Sequence, residues 1–535
     1  MKTEWWKKAS VYQIYPRSFM DSNNDGYGDI QGIISKLDYL KDLGVDILWI
    51  SPMYASPNCD NGYDISDYYN LQKIFGTLED FDALVEKAHK LGLKIMIDLV
   101  LNHTSDKHKW FIESKKSKNN KYSDYYIWSK KTNDWVSCFS GSAWTYNEER
   151  DESYLHLFSS GQPDLNWSNP SVRLEAENIC RFWAEKGVDG FRMDVISYIG
   201  KRDNLVKAKG RGFDAYTNHQ KQTHEYLYEL NEKVFSPFNM VTVGETPNVD
   251  VETAIQYTKE DNKELNMVFQ FELAECSNDG EPKWFGRKPE LSDFKDIMIK
   301  WQKGLETEGW NSLYWENHDQ PRSISKFGND SDEYHDVSVK MLAILQYMMK
   351  GTIFIYQGQE LGMTNTVFNS LDDFDDIESI NAYQDLLNRG LNKEAAFNAL
   401  TRVSRDNGRT PFQWNSGENA GFTSSIPWLK VNPNYIKYNV EDETKDSNSV
   451  LNFYKKLLKF RKNDEVILFG KFKNIDCPNP LFIYEREKDG VVYRIIVNFS
   501  NREIYRAKEE GEVLLSNYES YGNFLKPYEA LVIKK

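Results

Sequence analysis

The sequence lacks the features that mark membrane, secreted and disordered proteins. No apolar run reaches the ~18 residues of a membrane span, and the opening MKTEWWKKAS contains no apolar signal segment. Five cysteines occur without CxxC spacing, which is typical of neither a zinc site nor a disulfide framework. Proline is scarce (16 residues) and 40% of residues are hydrophobic, as in globular proteins. We therefore expect a folded, cytoplasmic protein with reduced thiols and no membrane partner.

The sequence also has fewer basic than acidic residues. Lys and Arg total 66 against 81 Asp and Glu, which gives a formal net charge of −15. Because nucleic-acid affinity comes largely from Lys and Arg that displace counterions, this balance excludes binding along a phosphate backbone. An acidic surface that only aids solubility explains the charge equally well. A small neutral substrate is the expected partner.

Length and periodicity predict several domains, the largest of them a (β/α)8 barrel. A chain of 535 residues exceeds what one core usually holds, and short β-branched or aromatic runs alternate with segments of helical period. Between the second and third runs, Thr77 and Asp80 resemble a capping box and Gly92 ends the helix. The eight predicted strands are 11–15, 47–50, 95–99, 190–193, 240–243, 267–271, 312–315 and 352–356.

Two long segments interrupt the alternation, and the end of the chain changes character. Residues 104–174 are rich in Ser, Lys, Asn, Trp and Tyr, which predicts a small inserted domain after the third strand. Residues 365–443 form a second insertion after the eighth strand, too long for an inert connection. Residues 1–103 and 175–461 would form the barrel. Period-two runs predict a C-terminal antiparallel β-sandwich domain over residues 462–535.

Carboxylates follow several of the predicted strands. Asp98 ends the third strand, Asp194 the fourth and Glu245 the fifth, while Asp319 follows the seventh. In a barrel these ends meet at one face, where active sites lie. Cleavage of a glycosidic bond needs one ionised carboxylate as nucleophile and one protonated acid for the leaving oxygen. The pattern therefore favours a glycosidase.

The neighbours of these residues suggest their roles. Arg192 precedes Asp194 by two positions, so both side chains face the same side of the strand and the cation should keep the aspartate ionised. Asp194 is the predicted nucleophile. Glu245 has no adjacent cation and is the predicted general acid/base. Asp319, beside His318, would stabilise the positively charged transition state.

Seven segments in order resemble the motif set of the α-amylase superfamily, glycoside hydrolase family 13. They are residues 44–54 (GVDILWISPMY), 98–103, 162–166 (QPDLN), 190–194, 244–245, 317–319 and 352–360 (TIFIYQGQE). The resemblance implies a retaining hydrolase that acts on oligosaccharides by double displacement, without an organic cofactor. It also implies a pocket for the non-reducing glucose, lined by Asp60, Tyr63, His103, Arg192, His318, Asp319 and Arg405.

Within that family the chain is similar to bacterial oligo-1,6-glucosidases and dextran glucosidases. The run 5–19 (WWKKASVYQIYPRSF) and residues 405–411 (RDNGRTP) carry the likeness. Val195 resembles the valine of 1,6-preferring relatives, where 1,4-preferring ones tend to have Ala or Thr. Glu316 departs from the Asn that many relatives have before the Asn-His-Asp motif. The expected activity is exo-hydrolysis of α-1,6-glucosidic bonds by a monomer.

Residues 21–29 (DSNNDGYGD) place oxygen ligands at alternate positions around Gly26, as a calcium loop does. The glutamate expected at position 12 of a complete EF-hand is replaced by Gly32. The resemblance implies a structural calcium ion remote from the chemistry. Its ligands would be Asp21, Asn23, Asp25, the Tyr27 carbonyl and Asp29.

Alternative functions remain open within and outside catalysis. A trehalose-6-phosphate hydrolase or a sucrose-active, isomerising glucosidase would share the same core and differ where the leaving sugar binds. A phosphate-specific enzyme should place Lys or Arg at the pocket mouth. The Arg-Leu-Asp-Arg type of loop that is typical of sucrose isomerases does not occur in the sequence. A non-catalytic scaffold on this barrel would have lost the carboxylates, which are present.

Overall fold

The computed structural model describes residues 4–203, 205–207 and 212–535, and residues 1–3 of the predicted barrel lie outside that part. Eight parallel strands form the central sheet, and each begins within one residue of its prediction. This confirms the barrel fold. The strands are Ser10–Ile14, Ile47–Ile50, Lys94–Val100, Gly190–Asp194, Val241–Glu245, Met267–Phe269, Ser312–Tyr314 and Thr352–Tyr356.

The strands follow one another around the barrel in chain order. The order in the sheet is seventh, eighth, first, second, third, fourth, fifth and sixth, and each neighbouring pair in this order is parallel. The sixth and seventh strands meet through a single parallel bridge between Val268 and Asn311, and the Ser312 hydroxyl donates to the Val268 carbonyl at 2.6 Å. Closure brings the carboxyl ends of all eight strands to one face.

Helices follow the strands and cover the outside of the barrel. Leu78–Lys90 begins with the predicted capping box of Thr77 and Asp80, and Gly92 leaves it with φ of 72°. Asn169 caps the helix after the third strand with Pro170 at its first position. The covering helices are Ile30–Ser35, Leu37–Leu43, Leu78–Lys90, Pro170–Glu185, Lys221–Leu230, Val251–Thr258, Leu291–Gly304, His335–Tyr347 and Val450–Lys462.

Two apolar cores hold the barrel together. The inner one fills the lumen with bulky side chains from alternate strands, among them Trp49, Met96, Phe269 and Phe354. The outer one lies between the strands and the helices. Because each buried side chain of this size stabilises the fold by roughly 1.5–3 kcal/mol, the barrel is a rigid support for its loops.

The insertion after the third strand contains a short helix, Lys109–Ser114, and a three-stranded antiparallel sheet. Its base is joined to the barrel by an antiparallel bridge between His103 and Asp164. The following barrel helix begins at Pro170, so residues 170–174 of the predicted insertion belong to that helix. The sheet strands are Trp128–Ser129, Trp144–Asn147 and Glu152–Leu155.

The insertion after the eighth strand contains several helices. Asp376 and Asn392 cap its two longest helices through their side chains. It lies over the carboxyl-terminal face of the barrel, because Arg405 contacts Asp60 and Asp319 there. Its helices are Ile377–Asn388, Lys393–Val403, Asp406–Arg409 and Val440–Lys445.

The C-terminal part is antiparallel β-structure that packs on the barrel. Its five-stranded sheet begins at Lys471, after a short helix Glu465–Phe469. Tyr484 donates to the Leu345 carbonyl at 2.9 Å and Arg486 to that of Met348 at 2.8 Å. The strands are Lys471–Ile475, Leu481–Lys488, Val491–Asn498, Glu512–Ser516 and Ala530–Lys534, with a separate pair Ile504–Tyr505 and Phe524–Leu525.

Small elements complete the described chain, in which no helix is long and apolar enough to cross a membrane. A two-stranded ribbon pairs Tyr54–Ala55 with Asp67–Leu71. Short α-helices are Asp214–Thr217 and Ser323–Lys326, and Asn231–Phe235 is a π-helical turn. The 3-10 turns are Trp5–Lys8, Pro16–Ser18, Lys73–Phe75, Ile196–Tyr198, Leu205–Lys207, Glu260–Asn262, Lys283–Phe285, Gln359–Leu361, Leu371–Asp373, Glu418–Gly421 and Pro433–Ile436.

Candidate active site

A cavity of about 300 Å³ opens at the carboxyl-terminal face of the barrel. Of the ten predicted catalytic and substrate-binding residues, Arg192 and His318 lie beneath this cavity and are 1% and 0% exposed. The other eight line it. They are Asp60, Tyr63, His103, Asp194, Val195, Glu245, Asp319 and Arg405. The structure therefore brings the predicted set together from loops that are far apart in sequence.

Arg192 holds the carboxylates at the floor of the cavity. Its Nη1 donates to Asp98 at 2.6 Å and to Asp194 at 2.8 Å, and its Nη2 donates to Glu245. The Val195 backbone N–H also donates to Glu245, at 3.2 Å. One buried guanidinium thus fixes both predicted catalytic groups, which charge-assisted hydrogen bonds do strongly and with defined geometry.

The charge distribution differs from the sequence expectation. Burial, then the charge of Glu245, raise the pKa of Asp194 well above its usual value, although the Arg192 cation acts in the opposite direction. The prediction that Arg192 simply keeps Asp194 ionised is therefore wrong. Arg192 serves both carboxylates, and the sequence could not show that contact. The nearby negative charge of Glu245 thus adds to the effect of burial on Asp194.

Asp319 lies in the opposite electrostatic environment. Burial alone would raise the pKa of Asp319, but His318, Arg405 and Arg409 hold it well below its ordinary value. Arg409 Nη2 donates to Asp319 at 2.9 Å and Arg405 Nη1 at 3.3 Å. Asp319 is therefore ionised across the working range of pH. A fixed negative charge at this position can stabilise an oxocarbenium-like transition state.

An ion network closes one end of the cavity. Arg405 Nη2 donates to Asp60 at 3.0 Å and to Asp376 at 2.6 Å. The Gln162 amide donates to the other oxygen of Asp60 at 3.1 Å and lies 3.2 Å from His103. These groups form a wall rich in hydrogen-bonding atoms. A chain of sugars can enter from the other side only, so the shape suits a terminal residue.

Tyr63 and His318 form a stacked pair beside the catalytic groups. Their ring centroids are 5.2 Å apart, and the Tyr63 hydroxyl is 2.5 Å from His318 Nε2. Gln13 contacts the other ring nitrogen of His318 at 2.8 Å. Burial lowers the pKa of His318 to about 3. The imidazole is therefore neutral and held by both nitrogens, so it can orient Tyr63 without adding charge.

Val195 has a strained backbone directly after Asp194. Its φ and ψ are 33° and 39°, a left-handed conformation that β-branched residues rarely adopt. Such strain costs on the order of 1–3 kcal/mol and persists where the surroundings enforce it. The turn aims the Val195 side chain into the cavity and its N–H toward Glu245. The conformation thus serves the site rather than the fold.

Several residues in or behind the cavity wall were missed by the sequence reasoning. Asp376, the principal partner of Arg405, is the N-cap of a helix whose helical period the sequence reasoning did not use. Lys283 and Glu378 line the cavity and form an ion pair at 2.6 Å, and Glu378 also lies 3.4 Å from Arg405. The aromatic rings of Phe139, Phe158 and Phe271 also line the cavity. Apart from the capping signal at Asp376, no local motif marks these residues, since each reaches the site through tertiary packing.

Glu316, which departs from the family pattern, is buried and makes contacts that anchor a loop. It is 3% exposed, lies 3.4 Å from Arg322 and accepts the Ser323 backbone N–H. Arg322 in turn donates to the Gln357 and Gly408 carbonyls at 2.7 and 3.1 Å. The pair anchors the loop after the seventh strand, below the cavity.

The predicted calcium loop is folded as a series of Asx turns. The side chains of Asp21, Asn23 and Asp25 each accept a hydrogen bond from the backbone N–H two residues later. Asp29 caps the helix Ile30–Ser35. Among the described residues, no group of three or more His, Cys, Asp or Glu side chains is arranged to hold a metal. The calcium ion therefore remains a prediction.

A parallel barrel that presents paired carboxylates in a sugar-sized cavity defines the protein as a carboxylate-dependent glycoside hydrolase. Residues 13–470 match the family described as "Alpha amylase, catalytic domain". The chain belongs to the α-amylase family.

Similar proteins cover the whole chain. The oligo-1,6-glucosidase of Bacillus cereus is 49% identical, with 100% of both chains covered. The oligo-1,6-glucosidase of Parageobacillus thermoglucosidasius is 48% identical over 100% of this chain and 99% of its own. The crystal structure of Bacillus licheniformis trehalose-6-phosphate hydrolase superposes with a TM-score of 0.94 at 41% identity, covering 99% and 100% of the two chains.

Proposed function

We propose that the protein is a retaining, exo-acting α-glucosidase that hydrolyses α-1,6 bonds at the non-reducing ends of isomalto-oligosaccharides. The ion network of Asp60, Arg405 and Asp376 supports attack at chain ends, because it would close the cavity beyond the terminal glucose. The relatives named oligo-1,6-glucosidase support the linkage. Val195 supports it as well, since a hydroxyl that could bind a 1,4-linked sugar is absent there.

The mechanism is double displacement. Asp194 attacks the anomeric carbon while Glu245 gives a proton to the leaving oxygen, and a water deprotonated by Glu245 then releases glucose. Both carboxyls bind the same guanidinium, which holds them close together. That proximity fits the roughly 5–5.5 Å spacing of retaining enzymes better than the roughly 6.5–9.5 Å of inverting ones.

The general-acid role requires a proton on Glu245 when the reaction begins. A sugar ring placed between the two carboxyls separates their charges, which leaves Asp194 ionised by Arg192. Asp319 remains negative and stabilises the positive charge that develops on the sugar ring. The network around Asp60 holds the hydroxyl groups and the neutral His318 orients Tyr63, so binding energy is used for orientation.

The assay that tests this function compares kcat/KM for isomaltose, panose, maltose, sucrose and trehalose 6-phosphate in parallel. Isomaltose and panose should be preferred to the others by about tenfold or more, the value of one well-placed contact. If maltose or trehalose 6-phosphate were the best substrate by that margin, the linkage assignment would be wrong.

A trehalose-6-phosphate hydrolase is the second candidate. The cations at the pocket mouth favour it, since Lys283 lines the cavity and Lys326 and Arg402 lie in an adjoining one. The structural similarity to a trehalose-6-phosphate hydrolase supports it too. Lys283 is already paired with Glu378, however, so less of its positive charge is left to bind a phosphate group. The parallel assay decides between the two.

We also infer that a calcium ion stabilises the loop 21–29, held by the side chains of Asp21, Asn23, Asp25 and Asp29 and by the Tyr27 carbonyl. The repeated Asx turns and the positive φ of Gly26 support this assignment. A Cβ at Gly26 would lie 2.3 Å from the Ile426 carbonyl oxygen, so only glycine permits the turn. The ion would act on stability and not on the reaction.

We propose further that the protein works as a monomer in the cytoplasm. All five cysteines are free in the described structure, which suits a reducing compartment. Gel filtration with light scattering tests the monomer, and a mass of about 125 kDa, twice the 62.6 kDa of one chain, would contradict it.

A further inference from the structure

A second cavity of about 160 Å³ adjoins the catalytic one, and five of the residues that line it are cations. The two cavities share Glu275, Lys283 and Gln320. Glu275 alone is acidic among the described residues of the second wall, in a chain whose net charge is −15. Its cations are Lys283, Arg287, Lys288, Lys326 and Arg402.

Acidic neighbours neutralise two of these cations. Lys283 pairs with Glu378 at 2.6 Å, and Arg287 pairs with Asp293 at 2.6 Å through both terminal nitrogens. Their charges are therefore largely compensated within the protein. They can shape the wall of the cavity, but they contribute less to binding a further anion.

The other three cations have no such partner in the described part of the chain. Lys326 donates to the Ala274 carbonyl and to Gln320, the latter at 3.1 Å. Arg402 donates to the Trp284 carbonyl at 3.0 Å, and Lys288 is exposed at the rim. Burial lowers the pKa of Lys326 to about 8 and also lowers that of Arg402. Their hydrogen bonds go to neutral acceptors. The carboxylates of Glu275 and Asp330 offset part of the charge of Lys326 and Lys288, and the remaining positive charge would stabilise an anion in the cavity.

We propose that Lys288, Lys326 and Arg402 bind the phosphate group of a small sugar phosphate on the leaving-group side of the active site. The cavity has the volume of about five water molecules at ~30 Å³ each, which accommodates a tetrahedral anion. Its shared wall places the attached sugar where the departing sugar must pass. Only the term leaving-group side rests on the proposed function; the phosphate site itself does not.

The phosphate group can belong to a free hexose phosphate or to a phosphorylated disaccharide. The first arm of the test measures inhibition of isomaltose hydrolysis by glucose and by glucose 6-phosphate. Glucose 6-phosphate should bind about tenfold or more tightly than glucose, because charge-assisted hydrogen bonds contribute that much. Its advantage should shrink as ionic strength rises. The second arm measures hydrolysis of trehalose 6-phosphate.

Substitutions identify the cavity as the site. Lys288→Met and Arg402→Met should each remove most of the advantage of glucose 6-phosphate over glucose. Lys437→Met is the matched control, because Lys437 is exposed, pairs with Asp332 at 2.6 Å and lines neither cavity. Lys288 donates no hydrogen bond to the described protein, so its substitution leaves the fold intact even if that of Arg402 does not.

Equal inhibition by the two sugars in the unaltered protein would overturn the proposal, as would an advantage that survives both substitutions. Turnover of trehalose 6-phosphate would assign the phosphate to a substrate, and inhibition without turnover would assign it to a free sugar phosphate. Both results uphold the site. Calorimetry with glucose 6-phosphate tests the site even if no α-glucoside is hydrolysed, so its failure and that of the proposed function are distinguishable.

Discussion

At the scale of single residues, Arg192 determines how the two catalytic carboxylates behave. It contacts Asp98, Asp194 and Glu245 at once, and burial raises the pKa of Asp98 to about 6 despite that contact. The cation therefore fixes geometry without assigning the proton. What distinguishes nucleophile from acid is their position relative to the bound sugar, which sequence neighbours do not reveal.

The roles of the two carboxylates can be separated by leaving group. Asp194→Asn should reduce kcat by about 10⁴-fold or more with every substrate, because the nucleophile is lost. Glu245→Gln should lower kcat/KM roughly 10²–10⁴-fold with isomaltose, but much less with 4-nitrophenyl α-glucoside, whose leaving group needs no proton. Its kcat should stay low with both substrates, because the second step still lacks its base. Steady-state kinetics measure both effects.

Glu465→Gln, at an exposed carboxylate paired with Lys8, should match the unaltered protein and is the control. An Asp194→Asn variant that recovered with 4-nitrophenyl α-glucoside while Glu245→Gln did not would reverse the two assignments.

Val195 should control linkage preference. Val195→Thr should raise the ratio of kcat/KM for maltose over isomaltose by about tenfold, because a hydroxyl adds a hydrogen bond to the leaving sugar. Val195→Ala separates the hydroxyl from side-chain volume, because 1,4-preferring relatives tend to have Ala or Thr here and Ala has no hydroxyl. Comparable shifts in both variants would mean that volume, not the hydroxyl, sets the preference.

At the scale of elements, an uncharged histidine caps the helix Lys109–Ser114. His108 accepts the Trp110 backbone N–H at 3.1 Å through Nδ1, and burial lowers the pKa of His108 to about 3. The unfolded chain takes up this proton near pH 6.5 and the folded protein does not. Stability is therefore complete above about pH 6.5 and is lost progressively as the pH falls toward 3.

Replacement of this cap should reduce the pH dependence of unfolding. Between pH 6.5 and 5 one such group removes about 2 kcal/mol, at 1.36 kcal/mol per pH unit. His108→Asn keeps a capping acceptor but does not titrate, so it should lose less stability by about that amount. Urea unfolding at the two pH values measures the difference, and identical losses would exclude a neutral cap.

The loop 21–29 gives a second prediction at this scale. Calcium at about 100 times its dissociation constant should stabilise the folded protein by roughly 2.7 kcal/mol, and chelator should remove that gain. Differential scanning calorimetry measures the shift in Tm. Asp25→Ala should abolish it, whereas Asp332→Ala, at an exposed carboxylate outside the loop, should not. A Tm insensitive to calcium in the unaltered protein would refute the ion.

At the scale of the whole molecule, the barrel was predictable because its strands are locally marked. Ile47–Ile50 and Thr352–Tyr356 coincide with their predictions, since β-branched and aromatic runs between turn residues are clear signals. The polar residues at the strand ends were predictable for the same reason. Barrel closure then determines that they meet at one face.

Contacts made by the long insertion were not predictable. Asp376 and Arg405 are 29 positions apart and meet because two helices, Ile377–Asn388 and Lys393–Val403, fold between them. Their capping residues, Asp376 and Asn392, were present as local signals. How those helices lie over the barrel depends on packing, and no periodicity encodes it.

The proposed mechanism requires the two buried carboxylates to act from opposite sides of one sugar with net retention. Proton NMR of isomaltose hydrolysis in its first minutes tests this most directly, because it shows which anomer is released before mutarotation. Double displacement predicts α-glucose from the non-reducing end. Release of β-glucose would mean single displacement, and Asp194 could not then be a nucleophile that forms a covalent intermediate.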